Sequence, residues 1–126
     1  TALGDDFLTG TLDRVYCDAD GVWHVLDYKT DSLSSHSIGQ KAADYEPQIK
    51  FYSLLVQKFF SAEQVRATLL FTSAIETPIS FLYSQNDLKK IDAELVSTIN
   101  KIRLRQLTRS GKPCNDCPFL PNGCLD

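Results

Sequence analysis

The 126-residue chain contains no methionine and no apolar run of the roughly 18 residues that would cross a bilayer. Residues 1 to 10 lack the basic stretch followed by an apolar one that marks a secretory leader. With no initiating methionine and strand-forming residues almost at once, the chain reads as a piece of something longer. Positive charge is not in surplus: 13 Lys and Arg stand against 16 Asp and Glu, a net charge of −3. That balance argues against a protein that coats nucleic acid through a general basic field, but allows an enzyme with a local basic track. No internal repeat and no low-complexity segment is present. Cysteine is scarce, four in all, yet three of them crowd into CNDCPFLPNGC at 114–124. A chain of this size with 43% apolar residues has a core-forming pattern without disulfides, so that cluster reads as metal or cluster ligation.

What is there is the punctuation of one domain with one modest core. Residues 7–17 and 22–30 are rich in β-branched and aromatic side chains, and the DADG between them is a turn signal. Residues 31–39 form a polar loop. The spacing of Tyr45, Ile49, Tyr52, Val56 and Phe59 or Phe60 predicts a helix over 44–60, with Asp44 as N-cap and Pro47 in its first turn. Two strands follow at 65–74 and 78–83 around IETP. Ser84 with Asp87 resembles a capping box, opening a helix to about Gln106 that Gly111 and Pro113 stop. The order ββαββα predicts an α/β (α+β) domain, a mixed sheet flanked by helices.

The first hairpin carries charge where packing alone would place valine. With a three-residue loop Ala19-Asp20-Gly21 and Gly21 in the left-handed region, Asp13 faces Asp27, Thr11 faces Lys29 and Val15 faces Val25. Lys29 and Asp27 share a face because side chains alternate along a strand. Carboxylates opposed across strands repel, and partial burial raises that cost. A divalent cation reverses the sign, since hard oxygen ligands suit Mg²⁺. A surface Asp/Lys ladder, worth little, explains the same residues equally well at this point.

Gly10-Thr11-Leu12-Asp13, then Asp27-Tyr28-Lys29, then Gln48-Ile49-Lys50-Phe51-Tyr52 give GxxD, DxK and QxxxY in order. This set resembles the RecB-type branch of the PD-(D/E)XK nuclease superfamily, as found at the C-terminus of UvrD/Rep-type helicase–nucleases. The resemblance implies a restriction-endonuclease-like core, here without its N-terminal helix, over 1–113, with a cysteine-rich tail at 114–126. It implies Asp13, Asp27 and the Tyr28 main-chain carbonyl as ligands of Mg²⁺ or Mn²⁺, and Lys29 positioning the attacking water. Gln48 and Tyr52 would line the site and touch DNA, with ordinary core packing the competing reading for Tyr52.

Cys114, Cys117 and Cys124 resemble three ligands of the iron–sulfur-bearing members, whose fourth cysteine lies upstream of the nuclease motifs. The 4Fe-4S cluster is therefore expected in an intact parent and incomplete here. Cys17 is read as a small core residue rather than a substitute ligand. A zinc site borrowing His24 or His36 is the weaker alternative, and both histidines are read as structural or exposed. The branch also carries a metal-ligating histidine before GxxD, which this sequence lacks. Lys101, Arg103, Arg105, Arg109 and Lys112 form a basic run, read either as a solvated helix end or as a phosphate track for DNA.

The expected activity is a metal-dependent deoxyribonuclease, an exonuclease acting in end processing, recombination and repair beside a helicase portion or partner subunit, in the bacterial cytoplasm. The rival is a catalytically silent nuclease-like fold that binds DNA or scaffolds subunits. A third, weaker idea is a small zinc-stabilised interaction module resting on the tail cysteines.

Overall fold

The structure, a computed structural model, describes residues 2–4, 6–31 and 38–106. Two short strands, β1 (Ala2–Leu3) and β2 (Asp6–Phe7), pair antiparallel. The main sheet follows: β3 (Arg14–Cys17), β4 (Trp23–Lys29), β5 (Val65–Phe71) and β6 (Ile79–Tyr83), in that spatial order. Helix α1 (Ile38–Phe60) connects β4 to β5, which run parallel, while the outer pairs are antiparallel. Helix α2 (Gln85–Arg103) packs beside α1 and against β6. The expected mixed sheet flanked by helices is the observed one, with its ββαββα order from β3 onward.

The hairpin has the register its turn residues dictate. Val15 pairs with Val25 and Arg14 with Leu26, around a tip closed by Asp18 N–H to the Val22 carbonyl at 3.0 Å. Gly21 sits at φ 81°, where a Cβ is unfavourable. Asp18 fastens the tip: one carboxylate oxygen accepts the amides of Asp20 and Val22, and the other pairs with His24 at 2.8 Å. The His24 ring stacks on Tyr16 at 4.6 Å, so this histidine is structural.

One side of the sheet is apolar because strand residues alternate. Val25, Val65, Ala67, Leu69 and Phe71 are fully buried there, meeting Ile49 and Leu54 of α1 and Leu88 of α2. Asp27 and Lys29 project from this same side of β4, so an acid and a base enter the helix–sheet interface.

Four expectations are corrected. The strand expected over 7–17 is broken, since residues 8–12 leave the sheet to lie against α1; a Cβ on Gly10 would come within 2.8 Å of Leu55 Cδ1. Helix α1 starts at Ile38, so Asp44 lies inside it and Pro47 interrupts its interior rather than its first turn. Burial of Ala42 and packing of Tyr45 against the core extend the helix toward its N-terminus despite the lost donor at Pro47. Cys17 is exposed, not core, because the hairpin tip reaches past the helical cover. Helix α2 ends at Arg103, before Gly111 and Pro113: Gln106 N–H bonds the Lys101 carbonyl at 2.8 Å and Arg105 N–H bonds that of Ile102 at 3.0 Å. This double bond pattern is a Schellman cap, with Arg105 at φ 55° in the place glycine usually takes.

Candidate active site

Asp27 is 5% exposed, so its charge must be compensated within the protein. The Lys29 ammonium lies 2.7 Å from Asp27 Oδ2 and donates to Gln48 Oε1 at 2.7 Å. Gln48 in turn donates through Nε2 to the Tyr52 hydroxyl at 2.9 Å. Tyr45, Gln48 and Tyr52 fall at i, i+3 and i+7 on α1, one helical face turned toward β4. Four of the sequence motif positions, Asp27, Lys29, Gln48 and Tyr52, thus form one continuous polar thread from strand to helix. Tyr52 is not merely packed: its hydroxyl closes that thread.

The side chains of Asp27 and Lys29 are 7% and 13% exposed, which rules out a solvated surface ladder. Asp27 Oδ2 is sealed from solvent, and beyond the ion pair with Lys29 it accepts no aligned hydrogen bond. A buried carboxylate oxygen with lone-pair capacity left over is a suitable ligand for a hard cation.

Asp13 departs from the sequence-based picture. The paired register ends at Arg14–Leu26, and Asp13 lies one step beyond it, exposed. Its Oδ2 accepts the Tyr28 N–H at 2.9 Å, replacing the ladder carbonyl that a longer strand would have offered. The two aspartates therefore flank the end of β4 by different routes, one from the helix side and one along the strand edge. In an extended strand the N–H and C=O of one residue point to the same edge, so the Tyr28 carbonyl shares the edge that Asp13 occupies. Asp27, Asp13 and the Tyr28 carbonyl thus bring hard oxygen donors, the type a divalent cation such as Mg²⁺ prefers, to the end of β4. Among the described residues no three His, Cys, Asp or Glu side chains converge into a fuller cage.

Two residues that sequence reasoning passed over belong to this site. The Tyr45 ring lies 4.1 Å from the Lys29 ammonium, and its hydroxyl donates to Asp31 Oδ2 at 2.7 Å. That hydrogen bond, with burial second, pushes the Tyr45 pKa above its ordinary value. Lys41 lies 3.8 Å from the other oxygen of Asp31. The signal was present: Tyr45 precedes Gln48 by three residues and Asp31 follows Lys29 by two. It was hidden because an aromatic at helical spacing reads first as core.

The basic run is only partly free. Arg103 pairs with Asp6 at 2.6 Å, tying α2 to β2, whereas Lys101 and Arg105 are exposed. His36, Arg109, Lys112, Cys114, Cys117 and Cys124 lie outside the described residues.

Compared with known protein families, residues 3–121 match the model of the PD-(D/E)XK nuclease superfamily. No curated protein and no solved structure matches the chain.

Proposed function

Because the chain belongs to the PD-(D/E)XK nuclease superfamily, we propose that it is a divalent-metal-dependent deoxyribonuclease module that hydrolyses phosphodiester bonds. The observation that carries this reading is the buried Asp27–Lys29 pair joined to Gln48 of α1, a costly arrangement for structure alone. Asp27, Asp13 and the Tyr28 carbonyl would hold Mg²⁺ or Mn²⁺. When bound, such an ion supplies Lewis acidity at the phosphate and an activated water.

The chain's own residues do the positioning. Lys29 carries its positive charge beside Asp27, where it can orient a water and counter the charge that grows on phosphate. Gln48 fixes that ammonium through one amide oxygen while its NH₂ group is fixed by Tyr52, so both atoms have assigned roles. Exposed Lys101 and Arg105, with Arg109, would contact phosphates of DNA approaching the site.

Further assignments rest on the motif set. The GxxD, DxK and QxxxY order supports a RecB-type exonuclease working with a helicase portion or partner subunit in DNA end processing, recombination and repair, in the bacterial cytoplasm. Cys114, Cys117 and Cys124 would supply three ligands of a 4Fe-4S cluster in the intact parent. Among the described residues no helix is long and apolar enough to cross a membrane.

The test is degradation of linear DNA in Mg²⁺ or Mn²⁺ by wild type, Asp27→Asn and Lys29→Gln. Loss of cleavage in both variants with DNA binding kept supports the assignment, and undiminished cleavage rejects it. A silent DNA-binding fold is the second reading, favoured by the hydrogen bond that ties Asp13 to the Tyr28 amide. Metal-independent DNA binding without cleavage by the full-length parent would select it.

A further inference from the structure

An ammonium has three N–H donors, and a lysine that must hold one position needs all three directions occupied. Lys29 has two polar contacts, an ion pair with Asp27 Oδ2 and a hydrogen bond to Gln48 Oε1, each at 2.7 Å. The third direction is covered by the face of Tyr45, whose centroid is 4.1 Å from Nζ. A cation over an aromatic face is attracted by the ring quadrupole, and more strongly where water is excluded, as for this 13% exposed side chain. The ring cannot turn away freely, because the hydroxyl at its far end donates to Asp31 Oδ2 at 2.7 Å. Asp31 is itself held: its carbonyl accepts the Ser73 hydroxyl at 2.9 Å, and Lys41 lies 3.8 Å from its other carboxylate oxygen.

We propose that Tyr45, locked by Asp31, is a positioning residue that completes a three-legged seat for the Lys29 ammonium. The proposal rests on the nuclease reading for its consequence but not for its geometry. Without the ring, Lys29 keeps its two polar partners and loses the wall that confines it, so the ammonium samples positions unsuited to the phosphate. Substrate binding does not pass through this contact, so the cost falls on turnover.

The experiment has two readouts on the whole chain. In ¹H–¹³C spectra, the Lys29 ε-methylene protons, assigned by their loss in Lys29→Gln, are expected upfield of the other lysines through the ring current of Tyr45. Tyr45→Leu removes that displacement, Tyr45→Phe retains it, and Asp31→Asn, a partly exposed site that leaves the core intact, reduces it. In DNA cleavage, Tyr45→Leu is expected to lower kcat about tenfold with KM within about twofold, and Tyr45→Phe to lower kcat only about threefold. A Lys29 signal unmoved by Tyr45→Leu overturns the proposal, as does an equal kcat loss in the leucine and phenylalanine variants. A wild-type chain that shows the ring-current displacement yet cleaves no DNA counts against the nuclease reading alone.

Discussion

Asp27 and Lys29 are a pair whose value depends on both members being present. Removing one buried partner leaves an uncompensated charge, a loss of about 3–5 kcal/mol. Gln48 and Tyr45 soften that loss on the lysine side only, so the two substitutions differ. Lys29→Ala is expected to destabilise by about 3 kcal/mol in thermal melts, more than Asp27→Ala, with part of the loss recovered on adding Mg²⁺ because the freed carboxylate takes the ion. Equal melting curves for Lys29→Ala with and without Mg²⁺ would contradict that. Tyr83 is the opposite case. Its hydroxyl is buried with no hydrogen-bond partner among the described residues, and burial pushes its pKa to about 12. Tyr83→Phe should therefore raise stability by about 1 kcal/mol at neutral pH. Below the ordinary value of 10.0 neither the folded nor the unfolded phenol ionises; as pH climbs from there toward 12 only the unfolded one does, so wild type loses further stability. Alkaline unfolding of wild type between those values should be blunted in the phenylalanine variant.

At the scale of elements, the β3–β4 hairpin and the end of α2 make separable predictions. His24, then the Val22 amide, hold the Asp18 carboxyl below its ordinary value of 3.8. A lowered carboxylate pKa stabilises above the unfolded value and ceases to do so as pH falls through the folded one. The tip should loosen below about pH 4, read as faster exchange of the Val22 amide, and Asp18→Ala should remove that pH step. Arg105 occupies the left-handed cap of α2 at φ 55°, a conformation that costs a side-chain-bearing residue roughly 1 kcal/mol. Arg105→Gly should raise the melting temperature while weakening DNA binding, and unchanged DNA affinity would remove Arg105 from the proposed phosphate track. The hairpin register was legible because Gly21 and the apolar alternation fix it together. The start of α1 was not, because polar residues and Pro47 gave no local signal that tertiary packing of Ala42 would override.

Across the whole molecule, the sheet's architecture could be read from pattern, whereas the site could be read only in its strongest letters. Asp27, Lys29, Gln48 and Tyr52 come together, where spacing alone places each pair on one face of its own element and the motif resemblance implies a shared site. Asp13 does not face Asp27 across a ladder, since β3 begins one residue too late, and it reaches the β4 edge by bonding a backbone amide instead. Tyr45 and Asp31 became visible only when α1 was laid across β4, because their role is a contact between elements rather than a motif. Gly10 shows the same dependence on tertiary contact: its missing side chain lets the approach segment pass Leu55, and Gly10→Val should both destabilise the fold and displace Asp13.

The account stands on Asp27 being a metal ligand and not simply the counter-ion of Lys29. Titration of Mn²⁺ followed by electron paramagnetic resonance measures this directly, on wild type, Asp27→Asn and Lys29→Gln. The account predicts binding by wild type, at least about tenfold weaker binding by Asp27→Asn, and undiminished or tighter binding by Lys29→Gln. Asp27→Asn binding Mn²⁺ as well as wild type does would contradict it.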